Sequence, residues 1–299
     1  MQPLSHLRNF TGVAEPEIMS CGNVACPGCG ASLAMRLALK ALGRDTVLVI
    51  PACCWAVIDG PFPYSAAGVP VLQVAFETAA ISAGAVRHGL DATGRTGINV
   101  VAWAGDGGTF DIGFGQLSAA AERNDDVIYV CYDNEAYMNT GIQRSSATPW
   151  GAWTSTTPGA DFKRERKKNL MEIMAAHRIP YAATTTIAWP DDLTRKFERA
   201  RDTRGFRLIH IFSPCPPGHK ALEKDTIKES RYAVESRVFP LFEIEDGANY
   251  KLSMDPPVRP VGDYLELQGR FKHLTAEQRA FVQKSVDEDW ARLMSRMGG

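Results

Sequence analysis

The sequence predicts an α/β fold in which helices cover both faces of a mostly parallel sheet. Two observations carry this. Between residues 31 and 215, short apolar and β-branched runs alternate with runs of helical spacing. The strand-like runs are apolar throughout instead of alternating, as strands buried on both faces are. Parallel neighbours need a crossover between them, and the helical runs supply it.

Taken in order, 46–50 (TVLVI) is the first strand-like run. The segment 77–90 is rich in Ala and other small residues and reads as a buried helix. Next come a strand at 98–103 (INVVAW), a helix at 114–123 and a strand at 127–132 (VIYVCY). An amphipathic helix is expected at 163–176, a strand at 181–186, a helix at 191–201 and a last strand at 207–212 (RLIHIF). Pro216, Pro217 and Gly218 then break the pattern. The C-terminal stretch from 219 onward is charged and poor in strand-like runs, and Thr275 with Gln278 resembles a capping box opening a C-terminal helix. The expected organisation is an N-terminal arm (1–20), a cofactor-binding domain (21–218) and a C-terminal arm (219–299) that packs on the core or on a partner chain. No internal repeat or low-complexity segment is present.

The 299 residues carry 33 Lys plus Arg against 34 Asp plus Glu, a net charge of −1, which excludes a strongly basic nucleic-acid binder. No apolar run reaches the roughly 20 residues of a membrane span. Residues 1–20 lack a basic stretch followed by an apolar core, so no secretory signal is expected. Seven cysteines are an odd number in a chain too large to need disulfide staples. They read as thiols or metal ligands in the reducing cytoplasm.

Three motifs carry chemistry. Gly105-Asp106-Gly107-Gly108 follows a strand and precedes a helical run. Glycines there let the backbone approach a phosphate, and Asp106 sits where a divalent cation would bridge to it. Alone, this is also the pattern of a plain strand-to-helix turn. Asp133-Asn134-Glu135-Ala136-Tyr137 follows the next strand, with Asn134 28 residues after Asp106. In a parallel sheet both loops emerge at the carboxyl edge. A carboxylate, an amide oxygen and a loop carbonyl are hard ligands that suit Mg²⁺ completed by diphosphate and water. The arrangement resembles the diphosphate-binding domain of thiamine-diphosphate enzymes.

The third motif is the cysteines. Cys26 and Cys29 form a CxxC, Cys53 and Cys54 follow one strand, and Cys215 follows another. Cys26, Cys29, one of Cys53 and Cys54, and Cys215 complete a Cys₄ set for a [4Fe–4S] cluster or for structural zinc. Cys131 reads as a core thiol, and Cys21 has no partner spacing. Thiamine diphosphate beside a cluster has chemical sense, because decarboxylation of a 2-oxoacid leaves electrons that a cluster accepts one at a time.

The runs CYDNEAYMNTGIQRSSATPWGAW (131–153) and AGDGGTFDIG (104–113) carry a specific resemblance. The chain resembles the β subunit of the 2-oxoacid:ferredoxin oxidoreductases, the pyruvate synthase group, over about residues 20–235. The resemblance implies a thiamine-diphosphate-binding fold and oxidative decarboxylation of a pyruvate-like 2-oxoacid to acyl-CoA and CO₂. It implies that Cys26, Cys29, Cys54 and Cys215 ligate a [4Fe–4S] cluster. It also implies that Asp106, Asn134 and the Ala136 carbonyl hold Mg²⁺. Gly105, Gly107, Gly108, Asn139, Thr140 and Gly141 would lie along the cofactor, with Asn139 also touching substrate. The implied partners are a pyrimidine-binding α chain, coenzyme A-binding and ferredoxin-like components, ferredoxin and coenzyme A, with no nucleic acid or membrane. Ala31, where many members have Glu, and Pro51-Ala52-Cys53-Cys54-Trp55 depart from the family pattern. They leave pyruvate, branched-chain 2-oxoacids, aryl glyoxylates and oxalate open as substrates, and an oxalate enzyme would need no coenzyme A. A non-redox decarboxylase or carboligase with structural zinc is a further reading.

Other polar residues have plainer readings. Glu77 and Glu135 read as helix-start residues. His88, His177 and His210 read as surface or satisfied core residues, and for His219 a hydrogen bond that tunes a cluster is the sharper, less favoured alternative. The KRERKK run (163–168) reads as a solvated helix face, with attraction of an acidic ferredoxin as the sharper alternative. Trp150 and Trp153 read as core or partner-facing.

Overall fold

The computed structural model describes residues 17–20 and 22–297. Cys21 and most of the expected N-terminal arm lie outside the described residues. The chain runs α1 (Gly30–Leu42), β1 (Thr46–Pro51), α2 (Cys54–Ile58), β2 (Val71–Val74), α3 (Ala79–Ala92) and β3 (Asn99–Gly105). A π-helical turn (Gly107–Ile112) leads into α4 (Phe114–Glu122), β4 (Ile128–Asp133), α5 (Leu170–Ala176), β5 (Tyr181–Thr186), α6 (Pro190–Asp202) and β6 (Arg207–Phe212). The C-terminal part adds α7 (Pro216–His219), α8 (Thr226–Glu235), β7 (Phe242–Glu245), β8 (Asn249–Leu252), α9 (Val261–Glu266) and α10 (Ala276–Met297).

One eight-stranded sheet orders these strands β2-β1-β3-β4-β6-β5-β7-β8. The first six are parallel, and β7 and β8 join antiparallel. This is the α/β architecture that the run pattern predicts. Successive residues of β3 serve opposite faces, as a pleated strand requires. Val101 and Trp103 enter one core with Trp55, Tyr132 and Phe197. Val100, Ala102 and Ala104 enter the other with Phe110, Tyr129 and Phe206. The small residues of α3 are what let it lie close: Ala79, Ala80 and Ala83 are all buried in that second core.

Two expectations are corrected. Helix is confined to Leu170–Ala176, and 163–169 is a strap with no regular structure. The strap's lysines make tertiary bonds that a helix would turn away. The C-terminal segment, read as poor in strands, adds β7 and β8 to the main sheet. Its signal was Asp246-Gly247, a dipeptide suited to a tight hairpin. Both residues have positive φ, 51° and 67°, and Ala248 N–H donates to the Glu245 carbonyl at 3.0 Å. Thr275 and Gln278 do form the reciprocal cap: Gln278 N–H donates to Thr275 Oγ1 at 3.2 Å, and Thr275 N–H to Gln278 Oε1 at 2.9 Å. A third apolar cluster, including Phe212, Phe239, Val261 and Phe271, fastens this segment to the sheet. Among the described residues no helix is long and apolar enough to cross a membrane.

Candidate active site

The four adjacent strands β1, β3, β4 and β6 bring the sequence motifs to one edge. Cys53 and Cys54 follow β1, Asp106 follows β3, Asn134 follows β4, and Cys215 lies three residues beyond β6. Loops at the carboxyl edge of a parallel sheet are where such folds bind ligands.

Asp106 is 1% exposed. The Asn134 amide lies 2.9 Å from Asp106 Oδ1 and 3.0 Å from the Ala136 carbonyl oxygen. With its NH₂ facing them, the amide makes two hydrogen bonds; with its oxygen facing them, three oxygens converge and need a cation between them. Oxygens about 2.0–2.1 Å from an octahedral Mg²⁺ stand about 2.9 Å apart. The observed spacing therefore fits that ion. Burial, and after it the neighbouring Asp133, push the Asp106 carboxyl well above the ordinary carboxylate range, against the Ser145 hydrogen bond and Lys167. A bound cation removes that penalty. Gly107 passes so close to Tyr137 that an added Cβ would meet its ring at 2.4 Å, so any side chain there would clash.

Buried charge surrounds these loops. Asp133 accepts hydrogen bonds from Glu135 N–H at 3.0 Å and His210 Nε2 at 2.8 Å, and its Oδ2 is 2.5 Å from Lys167 Nζ. Burial raises the Asp133 carboxyl, but Lys167 and His210 outweigh it and hold it at about 2. Glu135, in a left-handed conformation with φ 67°, pairs with Lys167 at 2.9 Å and with Arg270. It is not a helix-start residue. His219 Nε2–H donates to the Asn134 carbonyl at 2.9 Å, while Nδ1 pairs with Glu229. His219 therefore supports the Asn134 loop.

A turn at 145–148 joins the two oxygen-bearing loops. Ser145 Oγ–H donates to Asp106 Oδ2 at 2.6 Å, and Thr148 Oγ1–H to the Glu135 carbonyl at 2.7 Å. The loop holding Asn139, Thr140 and Gly141 is different. It turns out to solvent, closed by Tyr137 pairing with Gln143 and by Thr140 Oγ1–H donating to Gln143 Oε1 at 2.7 Å.

The thiols gather beside the oxygens. Cys29 N–H donates to the Cys26 carbonyl at 3.1 Å, and Gly30 N–H donates to the Pro214 carbonyl at 3.1 Å, which ties the CxxC turn to the residue before Cys215. Thr226 Oγ1–H donates to the Gly28 carbonyl at 2.7 Å. A cleft of about 550 Å³ runs along Cys26, Cys29, Ser32, Glu223 and Thr226. Burial pushes the Cys54 thiol up to about 12, helped by Cys215, Cys53, Cys29 and Asp106. Burial also pushes Cys215 to about 12, with Cys29 and Cys26 adding to it. Cys53 instead bonds the Tyr132 hydroxyl. Cys26, Cys29, Cys54 and Cys215 are thus electrostatic neighbours, and Cys131 is fully buried. As thiolates this set fits a group that draws off negative charge. Among the described residues, no three or more His, Cys, Asp and Glu side chains are arranged to hold a single metal ion.

Sequence reasoning missed Lys163, Lys167, Arg270, Ser145 and Thr148. Ser145 and Thr148 lie inside the motif run 131–153, which was their only signal. Trp150 packs against Phe162 and Phe281 at 5.0 and 4.7 Å between ring centres.

A Gly-Asp-Gly-Gly turn and oxygen-bearing loops at the carboxyl edge of this sheet are the arrangement expected of a thiamine-diphosphate enzyme domain. A model of the thiamine pyrophosphate enzyme C-terminal TPP-binding domain matches residues 75–211. Ketoisovalerate oxidoreductase subunit VorB of Pyrococcus abyssi is 50% identical over 292 residues, 93% of this chain and 92% of its own. Pyruvate synthase subunit PorB of Methanothermobacter marburgensis is 48% identical over 279 residues, 92% of this chain and 96% of its own. A solved 2-oxoglutarate:ferredoxin oxidoreductase from Magnetococcus marinus superposes with a TM-score of 0.58 at 25% identity, covering 67% of each chain. With this extent of likeness, the chain belongs to the β subunits of the 2-oxoacid:ferredoxin oxidoreductases. It is part of an oxidoreductase that uses ferredoxin.

Proposed function

We propose that this chain holds the diphosphate end of thiamine diphosphate, with Mg²⁺ on Asp106, Asn134 and the Ala136 carbonyl. Cys26, Cys29, Cys54 and Cys215 would hold a [4Fe–4S] cluster. The observation that supports the reading is the meeting of Asp106 Oδ1, the Asn134 amide and the Ala136 carbonyl at 2.9 and 3.0 Å, a placement compatible with Mg²⁺ ligands once the amide oxygen faces inward. A cluster is preferred to zinc because oxidative decarboxylation leaves electrons that a cluster accepts one at a time and that Zn²⁺, which has no redox chemistry, cannot take. When bound, these groups supply decarboxylation and one-electron acceptance. The chain's own part is to orient the diphosphate through the Gly107 and Gly108 backbone, to hold the cation and to keep the cysteine loops beside it. Exposed Asn139 is proposed to meet substrate from the loop tip.

The proposed substrate is a short aliphatic 2-oxoacid, converted with coenzyme A to acyl-CoA and CO₂ with ferredoxin as acceptor. The relatives' names support this, since ketoisovalerate and pyruvate differ only in the alkyl group on the oxoacid. Partner subunits would complete the pyrimidine side of the site. The test is viologen reduction by the complex purified without oxygen, with a panel of 2-oxoacids and oxalate, each with and without coenzyme A. Reduction by pyruvate or a branched-chain oxoacid only with coenzyme A is expected. Reduction by oxalate alone, indifferent to coenzyme A, would overturn the proposal.

A further inference from the structure

The basic strap 163–168 is the strongest feature that the proposed function leaves unused. Its six residues read as a solvated face, yet its lysines bond other loops: Lys163 is buried, Lys167 is partly buried, and Lys168 is exposed. Lys163 is 2% exposed, and its Nζ donates to the Thr148 carbonyl at 2.5 Å and to the Ser146 carbonyl at 3.4 Å. Lys167 bridges Asp133 and Glu135, the two carboxylates on either side of Asn134. Lys168 Nζ donates to the Phe110 carbonyl in the turn after Asp106 and lies 3.7 Å from Asp111. Asp111 Oδ2 in turn accepts from Tyr137 O–H at 2.8 Å and from Ser146 N–H at 3.0 Å. The outward charges are used differently: Arg166 pairs with Glu288 at 3.1 Å, and Glu165 with Arg144 at 3.4 Å.

Each lysine therefore serves a different loop. Lys163 fixes the 145–148 turn, which itself bonds Asp106 and the Glu135 carbonyl. Lys167 neutralises the loop that carries Asn134. Lys168 fixes the turn that follows Asp106. We propose that the strap is a three-point clamp, and that Lys163, Lys167 and Lys168 are positioning residues that set the distance between Asp106 and the Asn134 and Ala136 oxygens. This rests on the reading of those oxygens as the cation site. Two aligned loops present ligands at the spacing an ion requires, and groups that orient ligands typically contribute 10–100-fold to metal affinity.

The test uses the whole complex stripped of divalent metal and thiamine diphosphate. Mn²⁺ binding in the presence of thiamine diphosphate is read by electron paramagnetic resonance, with melting temperature measured alongside. Lys167→Gln is expected to weaken Mn²⁺ binding roughly 10–100-fold, and Lys167→Arg to recover most of it. Lys168→Met is expected to weaken binding by a smaller factor; its side chain is 42% exposed, so folding tolerates the change. A merely structural strap would lower the melting temperature equally with and without Mn²⁺ and leave the dissociation constant unchanged. That result overturns the clamp. If Lys167→Gln does not assemble, wild-type Mn²⁺ affinity in Lys168→Met overturns it. If the wild-type complex binds no Mn²⁺ with thiamine diphosphate, the cation site itself fails, and the clamp with it.

Discussion

Asp106 is placed where its charge is costly in the bare chain: it is buried, and Asp133 and Glu135 add repulsion. Such placement trades stability for binding. Asp106→Asn keeps the shape and removes the charge. The expected outcome is an apo complex at least as stable as wild type. A gain of about 1 kcal/mol would raise the melting temperature by about 2–4 °C. Mg²⁺-dependent thiamine diphosphate binding should be lost in the same variant, as read by calorimetric titration; a lower apo melting temperature would contradict the argument. The paired cysteines separate at the same scale. Cys54 is raised by burial and then by Cys215, its neighbour Cys53 and Cys29, whereas Cys53 bonds the Tyr132 hydroxyl. Cys54→Ser should therefore deplete iron and sulfide from the about four of each per chain that one cluster contains. Cys53→Ser should retain them. Equal depletion in both variants would remove the distinction.

At the scale of elements, the junction of β5, β7 and α6 is held by one buried carboxylate. Glu243 on β7 accepts from Tyr181 O–H at 2.8 Å, Arg195 at 3.1 Å and Arg199 at 2.8 Å. Glu243→Ala leaves the Tyr181 hydroxyl without its acceptor and two arginines without their anion. The arginines reach solvent, so the expected cost is about 2–3 kcal/mol, below that of a fully buried broken pair. Burial raises the Glu243 carboxyl, but Tyr181 and the neighbouring cations outweigh it and hold it below its ordinary value. A carboxylate lowered in the fold stabilises above its unfolded pKa and loses that contribution as pH falls through the folded value. The gap between wild type and Glu243→Ala should thus be full at pH 7 and shrink below about pH 4.3. Urea melts across that range check it.

Across the whole molecule, the C-terminal segment reaches back to the site. Arg270 is 2% exposed and pairs with Glu135, 135 residues earlier. Arg270→Met should destabilise by about 3 kcal/mol, because it strips a buried carboxylate of one of its two cations. The double variant Glu135→Gln/Arg270→Met should recover much of that loss, giving a coupling of about 1–3 kcal/mol in a thermal double-mutant cycle. Additive losses would show that the two residues act independently. The same segment supplies His219 and Glu229 behind the Asn134 carbonyl, so it takes part in shaping the site as well as extending the sheet.

The sequence by itself determined the five strands β1, β3, β4, β5 and β6 and the edge to which the loops bearing the candidate oxygen and sulfur donors run. These depend on local signals: β-branched runs, glycines at a strand end, and cysteine spacing. The capping box at Thr275 was legible for the same reason. Only the tertiary structure decided what holds the donors in place. The KRERKK run has the composition of a solvated helix, but its lysines find carbonyls and carboxylates far away in the chain, and those bonds outweigh local helix propensity. Glu135 likewise has no local partner that would mark it, since Lys167 and Arg270 come from 32 and 135 residues away. Burying a charge requires a counter-charge, and the fold alone selects which residue supplies it.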